Sequence, residues 1–243
     1  MLAVTGVGVF LIAGTIKGCV GIGLPTAAIG LLTLAYAPRT AVALLLVPML
    51  FTNLWQVWRA GDIRGALGRY WVFGVTLAVG VGGATLFVDM VSDRFLLGAL
   101  GVFMLVFVAA NLVTSFPALP MRLDRIAQFA MGLLAGVMGG LTAVWGPPMG
   151  IYLAMRQVDK DEFVRATGLL ISFGSIPLLA GYAAQGFLTG PLALMSLAML
   201  VPTFVGFSAG EALRGHMSQA RFRKVLMLVF LALGLNLLRR ALL

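Results

Sequence analysis

Charged residues are scarce in this chain. Only 10% of its 243 residues are charged, whereas 61% are hydrophobic and the mean hydropathy is +1.06. About a quarter of the residues in a soluble domain are charged, and the core of such a domain would not absorb this apolar excess. The composition therefore predicts a polytopic membrane protein built of helices of about 20 residues. The short alternating segments typical of a membrane β-barrel do not occur, which argues against that class.

Cysteine, histidine and acidic residues are also rare, with one, one and eight copies respectively. Cys19 has no partner for an intramolecular disulfide and is interpreted as a small packing residue. No His and Cys cluster has the spacing of a metal site, and no pair of carboxylates lies inside an apolar run. We therefore expect no enzyme active site, no metal and no cofactor. All eight acidic residues fall in loops or at segment ends, so no carboxylate is expected inside a span as a proton relay.

Basic residues outnumber acidic ones by 17 to 8, which gives a net charge of +9. They lie in short loops beside apolar segments, as membrane orientation requires, so a nucleic-acid partner is rejected and the lipid bilayer is the expected surrounding. The first apolar run has no basic stretch before it, because Lys17 comes after it. This stretch is therefore interpreted as mature structure and not as a signal peptide.

Eight apolar units follow one another along the chain. Two of them are interrupted by glycine and proline, and they cover about residues 2–36 and 126–154. The other six are long enough to cross a bilayer, and they cover about residues 40–58, 69–91, 94–114, 163–184, 189–210 and 222–241.

The two interrupted units correspond to each other. Gly14, Gly18 and Pro25 match Gly136, Gly140 and Pro147 at a constant offset of 122 residues, and Gly83, Arg94 and Phe95 match Gly210, Arg221 and Phe222 at an offset of 127. The chain is therefore divided into a first membrane repeat at 1–115, a linker at 116–121 and a second membrane repeat at 122–243. Interrupted segments at matching places in two halves are the best sequence indication of a transporter's binding site.

The distribution of Lys and Arg predicts an orientation. If each interrupted unit is a re-entrant pair of half-helices, the loops near 59–69, 115–125, 155–165 and 211–224 share one face. That face then holds twelve basic residues against four on the other, and it is predicted to be cytoplasmic. Each repeat contributes three transmembrane helices, and an odd number inverts the second repeat relative to the first. The predicted fold is thus an all-α membrane protein of two inverted repeats, located in the inner membrane of a bacterium.

Lys17 lies inside the first interrupted unit. A lysine at membrane depth costs about 2.5–3.5 kcal/mol, which an anionic ligand would offset. Pro25 and Pro147–Pro148 suit the first turn of new helices, whose free N–H groups and dipoles attract anions. The predicted site contains a basic side chain, flexible or closely approached glycines, and residues of the two helix starts: Lys17, Gly18, Gly21, Gly23, Pro25, Thr26, Gly140, Gly146, Pro147 and Pro148. The alternative is that Lys17 snorkels to a membrane surface.

Four further polar or aromatic residues are weaker candidates. Asn53 and Gln56 in the second unit, and Ser175 at the repeat position of Asn53, either line the pathway or form hydrogen bonds between helices. Trp145, just before the second pair of prolines, either walls the site or is a buried packing residue.

Two stretches resemble the signature of one transporter family. "GTIKGCVGIGLP" at 14–25 is similar to the first-repeat signature of TauE/SafE sulfite-exporter-like membrane proteins, and "GLLAGVMGGLTAVWGPPMGIYL" at 132–153 resembles the second. The positions that match are Lys17, Gly18, Gly21, Gly23, Pro25, Gly140, Gly146, Pro147 and Pro148. Gly139 stands where symmetry would place a second lysine, so Lys17 has no counterpart.

The resemblance implies export of sulfite or of small organosulfonates such as sulfoacetate, with a small anion as the binding partner. The sequence leaves open whether the chain forms a homo-oligomer. Other small anions, metals or thiol compounds remain alternative substrates, and a non-transporting membrane scaffold is the alternative from another class. A scaffold, however, needs neither paired glycine–proline breaks nor a lysine at membrane depth.

Overall fold

The protein is all-helical in the residues that its computed structural model describes, which are 2–112, 116–214 and 219–243. A short 3₁₀ turn, Met121–Leu123, precedes the sixth helix. The α-helices in these residues are α1 (Leu2–Val20), α2 (Leu24–Leu32), α3 (Pro38–Ala60), α4 (Ile63–Thr85), α5 (Asp93–Leu112), α6 (Asp124–Thr142), α7 (Gly146–Met155), α8 (Lys160–Ala184), α9 (Gly190–Ala198), α10 (Leu200–Arg214) and α11 (Gln219–Leu242).

Several of these helices are suited to a bilayer. In the described residues, five stretches are long and apolar enough to cross a membrane, and Val4–Val20 is a shorter apolar helix. Large apolar side chains such as Val4, Trp58 and Leu194 are exposed on the outside of the bundle, where lipid would cover them. The prediction of a polytopic helical membrane protein is thus confirmed. The five stretches are Pro38–Ala60, Asp93–Ala110, Met121–Thr142, Lys160–Ala184 and Gly190–Leu213.

Each interrupted unit forms a helical hairpin that returns to the side where it began. In the first, the hydroxyl groups of Tyr36, after α2, and Thr5, near the start of α1, lie 3.4 Å apart. In the second, the hydroxyl of Tyr152 in α7 donates to Asp124 at the start of α6, over 3.0 Å. The arms are unequal, with 19 residues in α1 and α6 against 9 in α2 and 10 in α7. Each pair therefore returns toward its starting end, but its first arm is longer than a half-helix, and α6 belongs to a stretch long enough to cross a membrane.

The two hairpins open toward opposite ends of the bundle. The first leads into the N-terminal end of α3 and the second into the N-terminal end of α8. Gln56, near the C-terminal end of α3, donates to the carbonyl of Val164, near the N-terminal end of α8, so these two helices are antiparallel. An inverted repeat requires this arrangement. The repeat itself, and its bounds at 1–115 and 122–243, stay predictions.

Glycines allow two pairs of helix backbones to touch. A Cβ at Gly14 or Gly18 of α1 would collide with the carbonyls of Thr203 and Phe207 in α10. In the same way, a Cβ at Gly136 or Gly140 of α6 would meet the Leu77 or Val81 carbonyl in α4. Small residues at such crossings let membrane helices pack closely. The first hairpin is thus packed against α10 of the second half, and the second hairpin against α4 of the first half.

Two predicted segments have different bounds in the structure. The segment predicted at 69–91 is α4, which begins at Ile63 and ends at Thr85, and Arg39 donates to the carbonyls of Val88 and Val91 in the turn that follows. The segment predicted at 189–210 is broken at Met199. Pro202 has no N–H to donate to the carbonyl of Ala198, which explains this break.

Ion pairs and hydrogen bonds join the predicted cytoplasmic loops into one end of the bundle, called here the basic end. Arg59 pairs with Glu211, Arg69 with Glu162 and Arg156 with Asp124. The opposite end contains Arg39, Arg94, Arg239 and Arg240, as the sequence predicted. Four further basic residues assigned to the basic end have side chains outside the described part of the chain: Arg214, Arg221, Arg223 and Lys224.

Candidate functional site

Lys17 is buried in the protein interior, near the C-terminal end of α1. Only 1% of it is exposed, so it does not snorkel to a surface. Its Nζ donates to Oδ1 of Asn53 over 2.6 Å, and Nδ2 of Asn53 donates to the carbonyl of Met49. Because the Asn53 donor is occupied by its own helix, its oxygen is fixed toward the lysine. Asn53 lies seven residues before Ala60 and four after Met49, the middle residue of α3, so Lys17 is about 10 Å along α3 from the basic end and closer to the middle of that helix.

A cavity of about 370 Å³ lies beside Lys17 and is called here the basic-end cavity. It is formed by α1, α3, the start of α8 and α10, which come from four distant parts of the chain. Its lining includes three cations and two carboxylates, together with backbone at Gly18 and Gly21. The full set is Lys17, Gly18, Gly21, Gln56, Arg59, Ala60, Asp161, Val164, Arg165, Phe207 and Glu211.

The three cations of this cavity have different partners. Arg59 pairs with Glu211 over 2.6 Å, and Arg165 pairs with Glu162 over 2.7 Å. Lys17 is held by the neutral amide of Asn53. The positive charges of the two arginines are thus largely balanced by carboxylates, whereas that of Lys17 is not. An anion that enters the cavity would gain most from Lys17.

The sequence did not single out Arg59, Asp161, Arg165 and Glu211 as site residues. Each of them lies near the end of a predicted segment. The sequence indicated only that these segment ends lie on the same predicted face of the membrane. Two of the acidic residues placed in loops or at segment ends, Asp161 and Glu211, therefore line the cavity next to Lys17.

The structure brings the two breaks together. A second, smaller cavity of about 20 Å³, called here the inter-break cavity, touches both of them. A space of that size holds about one water molecule. The first break contributes Ile22, Gly23, Pro25 and Thr26, the second contributes Trp145, Gly146 and Met149, and Phe107 and Ile171 complete the lining.

The first helix of each hairpin ends in the same backbone cap. The N–H of Gly21 donates to the carbonyl of Lys17, and the N–H of Ala143 donates to that of Gly139, each over 2.7 Å. Both capping residues have positive φ, 86° at Gly21 and 57° at Ala143, and they are 122 residues apart. Gly23 also has a positive φ, of 101°, which favours glycine there. The predicted offset therefore matches a shared local geometry.

The other predicted site residues have mixed placements. Gly18 and Gly140 serve close helix packing, although Gly18 also lines the basic-end cavity. Gln56 lines that cavity and also bridges α3 to α8 through its hydrogen bond to the carbonyl of Val164. The hydroxyl of Ser175 is bonded to Ile171 of its own helix, and Ser175 lines neither cavity. Pro147 and Pro148 are buried in the first turn of α7, as expected for helix starts.

Comparison with known proteins identifies a family. The family model "Sulfite exporter TauE/SafE" matches residues 6–237. The chain belongs to the TauE/SafE family. It is therefore a multi-pass membrane transporter of the sulfite-exporter type, as the two motifs indicated. No curated protein and no solved structure matches the chain.

Proposed function

We propose that this TauE/SafE protein exports small sulfur oxyanions, sulfite or an organosulfonate such as sulfoacetate, across the inner membrane of a bacterium. The anion enters the basic-end cavity, binds beside Lys17, and passes to the breaks. The observation that carries the proposal is the burial of Lys17 against a neutral partner at the inner edge of a cavity.

The energetics of Lys17 favour an anionic ligand. A lysine within a membrane protein costs about 2.5–3.5 kcal/mol on insertion scales. The amide of Asn53 satisfies one of the three N–H donors of the ammonium group, and it brings no compensating charge. A bound oxyanion would supply both the charge and further acceptors, so Lys17 would stabilise the loaded state most.

Residues that are adjacent in sequence at the first break line the two cavities. Gly21 lines the basic-end cavity, and the next residues, Ile22 and Gly23, line the inter-break cavity. A volume of about 370 Å³ is ample for sulfite or sulfoacetate, whereas about 20 Å³ is not. The arrangement fits a conformation in which the substrate enters from the basic end, while the inter-break cavity is still too small to hold it.

The direction of transport follows from charge. Basic residues favour the cytoplasmic side of a membrane, so the basic end is placed in the cytoplasm. The basic-end cavity then opens toward the compartment from which an exporter takes its substrate.

Calorimetry on purified protein tests this function with sulfite, sulfoacetate, taurine, sulfate and thiosulfate as ligands. Wild type should bind sulfite or sulfoacetate, and Lys17→Ala should lose this binding while it keeps its melting temperature within a few degrees. Lys17→Arg should restore only part of it, because a guanidinium is larger and planar. Lys160→Ala, which removes a lysine from the first turn of α8, is the matched control and should bind like wild type.

Three results would count against the proposal. Equal affinity of Lys17→Ala and wild type for sulfite would remove Lys17 from the site. Failure of wild type to bind any of the five anions, with transport of another solute in proteoliposomes, would favour a different small anion, a metal or a thiol compound. A protein that moves none of these would fit the scaffold alternative.

A further inference from the structure

The second break carries a buried side-chain donor that lacks an acceptor. Trp145 is 1% exposed, and its Nε1 forms no hydrogen bond with any described residue. Most buried polar groups in native structures are hydrogen-bonded, so an exception of this kind needs an explanation. Trp145 also lines the inter-break cavity, next to Gly146 and Met149. The unpaired N–H therefore belongs to a residue that lines the inter-break cavity.

Trp145 occupies the place of the missing second lysine. Gly139 is the counterpart of Lys17 at the offset of 122, and both are followed by the same backbone cap. The indole lies directly against Gly139, where a Cβ would overlap Nε1. At the position that matches Trp145 in the first half stands Gly23, which has no side chain. Each half thus places one large donor side chain at its break, a lysine in the first and a tryptophan in the second.

The start of α7 is poor in other donors. The first four N–H groups of a helix have no partner within it, and they are the groups that would hold an anion. In α7 these positions are Gly146, Pro147, Pro148 and Met149, and the two prolines have no N–H. A side-chain donor at Trp145 would make up for this loss.

We propose that the indole N–H of Trp145 donates a hydrogen bond to an oxygen of the transported oxyanion, as the second-half counterpart of Lys17. This inference rests on the proposed function. The breaks then offer one positive charge and one neutral donor, which suits a small oxyanion with a single negative charge near the breaks. The inter-break cavity holds about one water molecule in this structure, so the anion reaches the indole only after the breaks separate.

The substitution Trp145→Phe tests the donor, because phenylalanine keeps an aromatic ring and removes the N–H. Its affinity for sulfite in calorimetry should fall about tenfold, as for the loss of one hydrogen bond to a charged group. Gly139→Ala should weaken binding similarly, since the added Cβ pushes the indole away and leaves its N–H chemically intact. Trp71→Phe is the matched control, because Trp71 is 48% exposed beside Arg125, and it should bind like wild type.

A spectroscopic measurement covers the case in which Trp145→Phe does not fold. With ¹⁵N-labelled tryptophan, the indole signal of Trp145 in wild type should shift when sulfite is added, and that of Trp71 should not. An unchanged Trp145 signal at saturating sulfite, or unchanged affinity in a folded Trp145→Phe, would overturn the inference and leave the proposed function standing. Failure of wild type to bind any of the five anions would overturn both.

Discussion

Lys17 and Asn53 form a buried lysine–amide pair between α1 and α3, with Nζ 2.6 Å from Oδ1 across 36 residues of sequence. The pair fixes the ammonium group without neutralising it. Asn53 is itself fully buried and bonded to Met49, so the acceptor cannot easily turn away. A neutral acceptor in this position leaves the charge of Lys17 available to a ligand.

The substitution Asn53→Asp should therefore inhibit binding. It keeps the size of the side chain but gives Lys17 a carboxylate partner, and the substrate anion would have to compete with that charge. We expect sulfite affinity to fall at least tenfold in calorimetry, with the melting temperature unchanged or raised. Asn53→Asp with wild-type affinity would show that Lys17 does not contact the anion. Gln128→Glu, which changes a buried amide between α6 and α4, is a control for the general effect of such a charge.

Gly18 should be intolerant of any side chain because its Cα lies against α10. A methyl group there would overlap the carbonyl of Phe207 and come within 2.8 Å of the N–H group of Glu211. Gly18→Ala should destabilise the protein by about 1–3 kcal/mol, as expected for overpacking. Gly68→Ala provides the control, because Gly68 is an exposed position of α4 with nothing within 4 Å. That variant should be stabilised by about 0.5–1 kcal/mol. Thermal unfolding in detergent measures both.

If Gly18→Ala melts like wild type but loses sulfite binding, the glycine serves the ligand and not the helix contact. The opposite result, a lower melting temperature with normal affinity in the folded fraction, is expected.

Ser196 repairs the backbone of α3 where Pro48 interrupts it. Pro48 has no N–H for the carbonyl of Leu44, and the hydroxyl of Ser196 donates to that carbonyl over 2.8 Å. The same hydroxyl accepts from the N–H of Val47. Ser196→Ala should thus cost about 1–3 kcal/mol of stability, the penalty for an unsatisfied buried group.

A double-mutant cycle checks this role of Ser196. In a Pro48→Ala background the backbone N–H returns and satisfies Leu44 itself, so Ser196→Ala should cost much less. Equal costs in the two backgrounds, measured by thermal or denaturant unfolding, would mean that the hydroxyl does not compensate for the proline.

Local signals made much of this molecule predictable. Pro25 and Pro147 mark helix starts because proline lacks an N–H, and long apolar runs mark spans, so both breaks and most helices follow from the sequence. The matched offset of 122 correctly aligned the two caps at Gly21 and Ala143. The family itself was recognisable from the same two motifs.

The basic-end cavity was not predictable in the same way. Its lining comes from α1, α3, α8 and α10, and only the tertiary packing brings Arg59 of α3 to Glu211 of α10. The sequence also could not decide whether a glycine serves a ligand or a helix contact, because both uses need the same missing side chain. Gly140 illustrates this, since its Cα faces the backbone of Val81 in α4.

Export should be driven by the membrane potential alone. An anion that leaves a negative cytoplasm moves downhill by about 2.3 kcal/mol per charge per 100 mV, and a dianion gains twice as much. The sequence predicts no carboxylate inside a span as a proton relay, and the two carboxylates that line the basic-end cavity, Asp161 and Glu211, lie near helix ends. Glu211 is already paired with Arg59, so we expect it to organise the cavity and not to carry a proton.

Proteoliposomes with an imposed potential, and with no pH or Na⁺ gradient, measure this directly. Sulfite or sulfoacetate flux should rise with the potential in wild type, and Glu211→Gln should retain that dependence even if the flux is smaller. Lys17→Ala provides the background rate, since it lacks the proposed anion contact. Flux that stays at this background under the potential, and appears only when a proton or sodium gradient is added, would contradict the prediction. Loss of that gradient-driven flux in Glu211→Gln would then identify Glu211 as the coupling carboxylate.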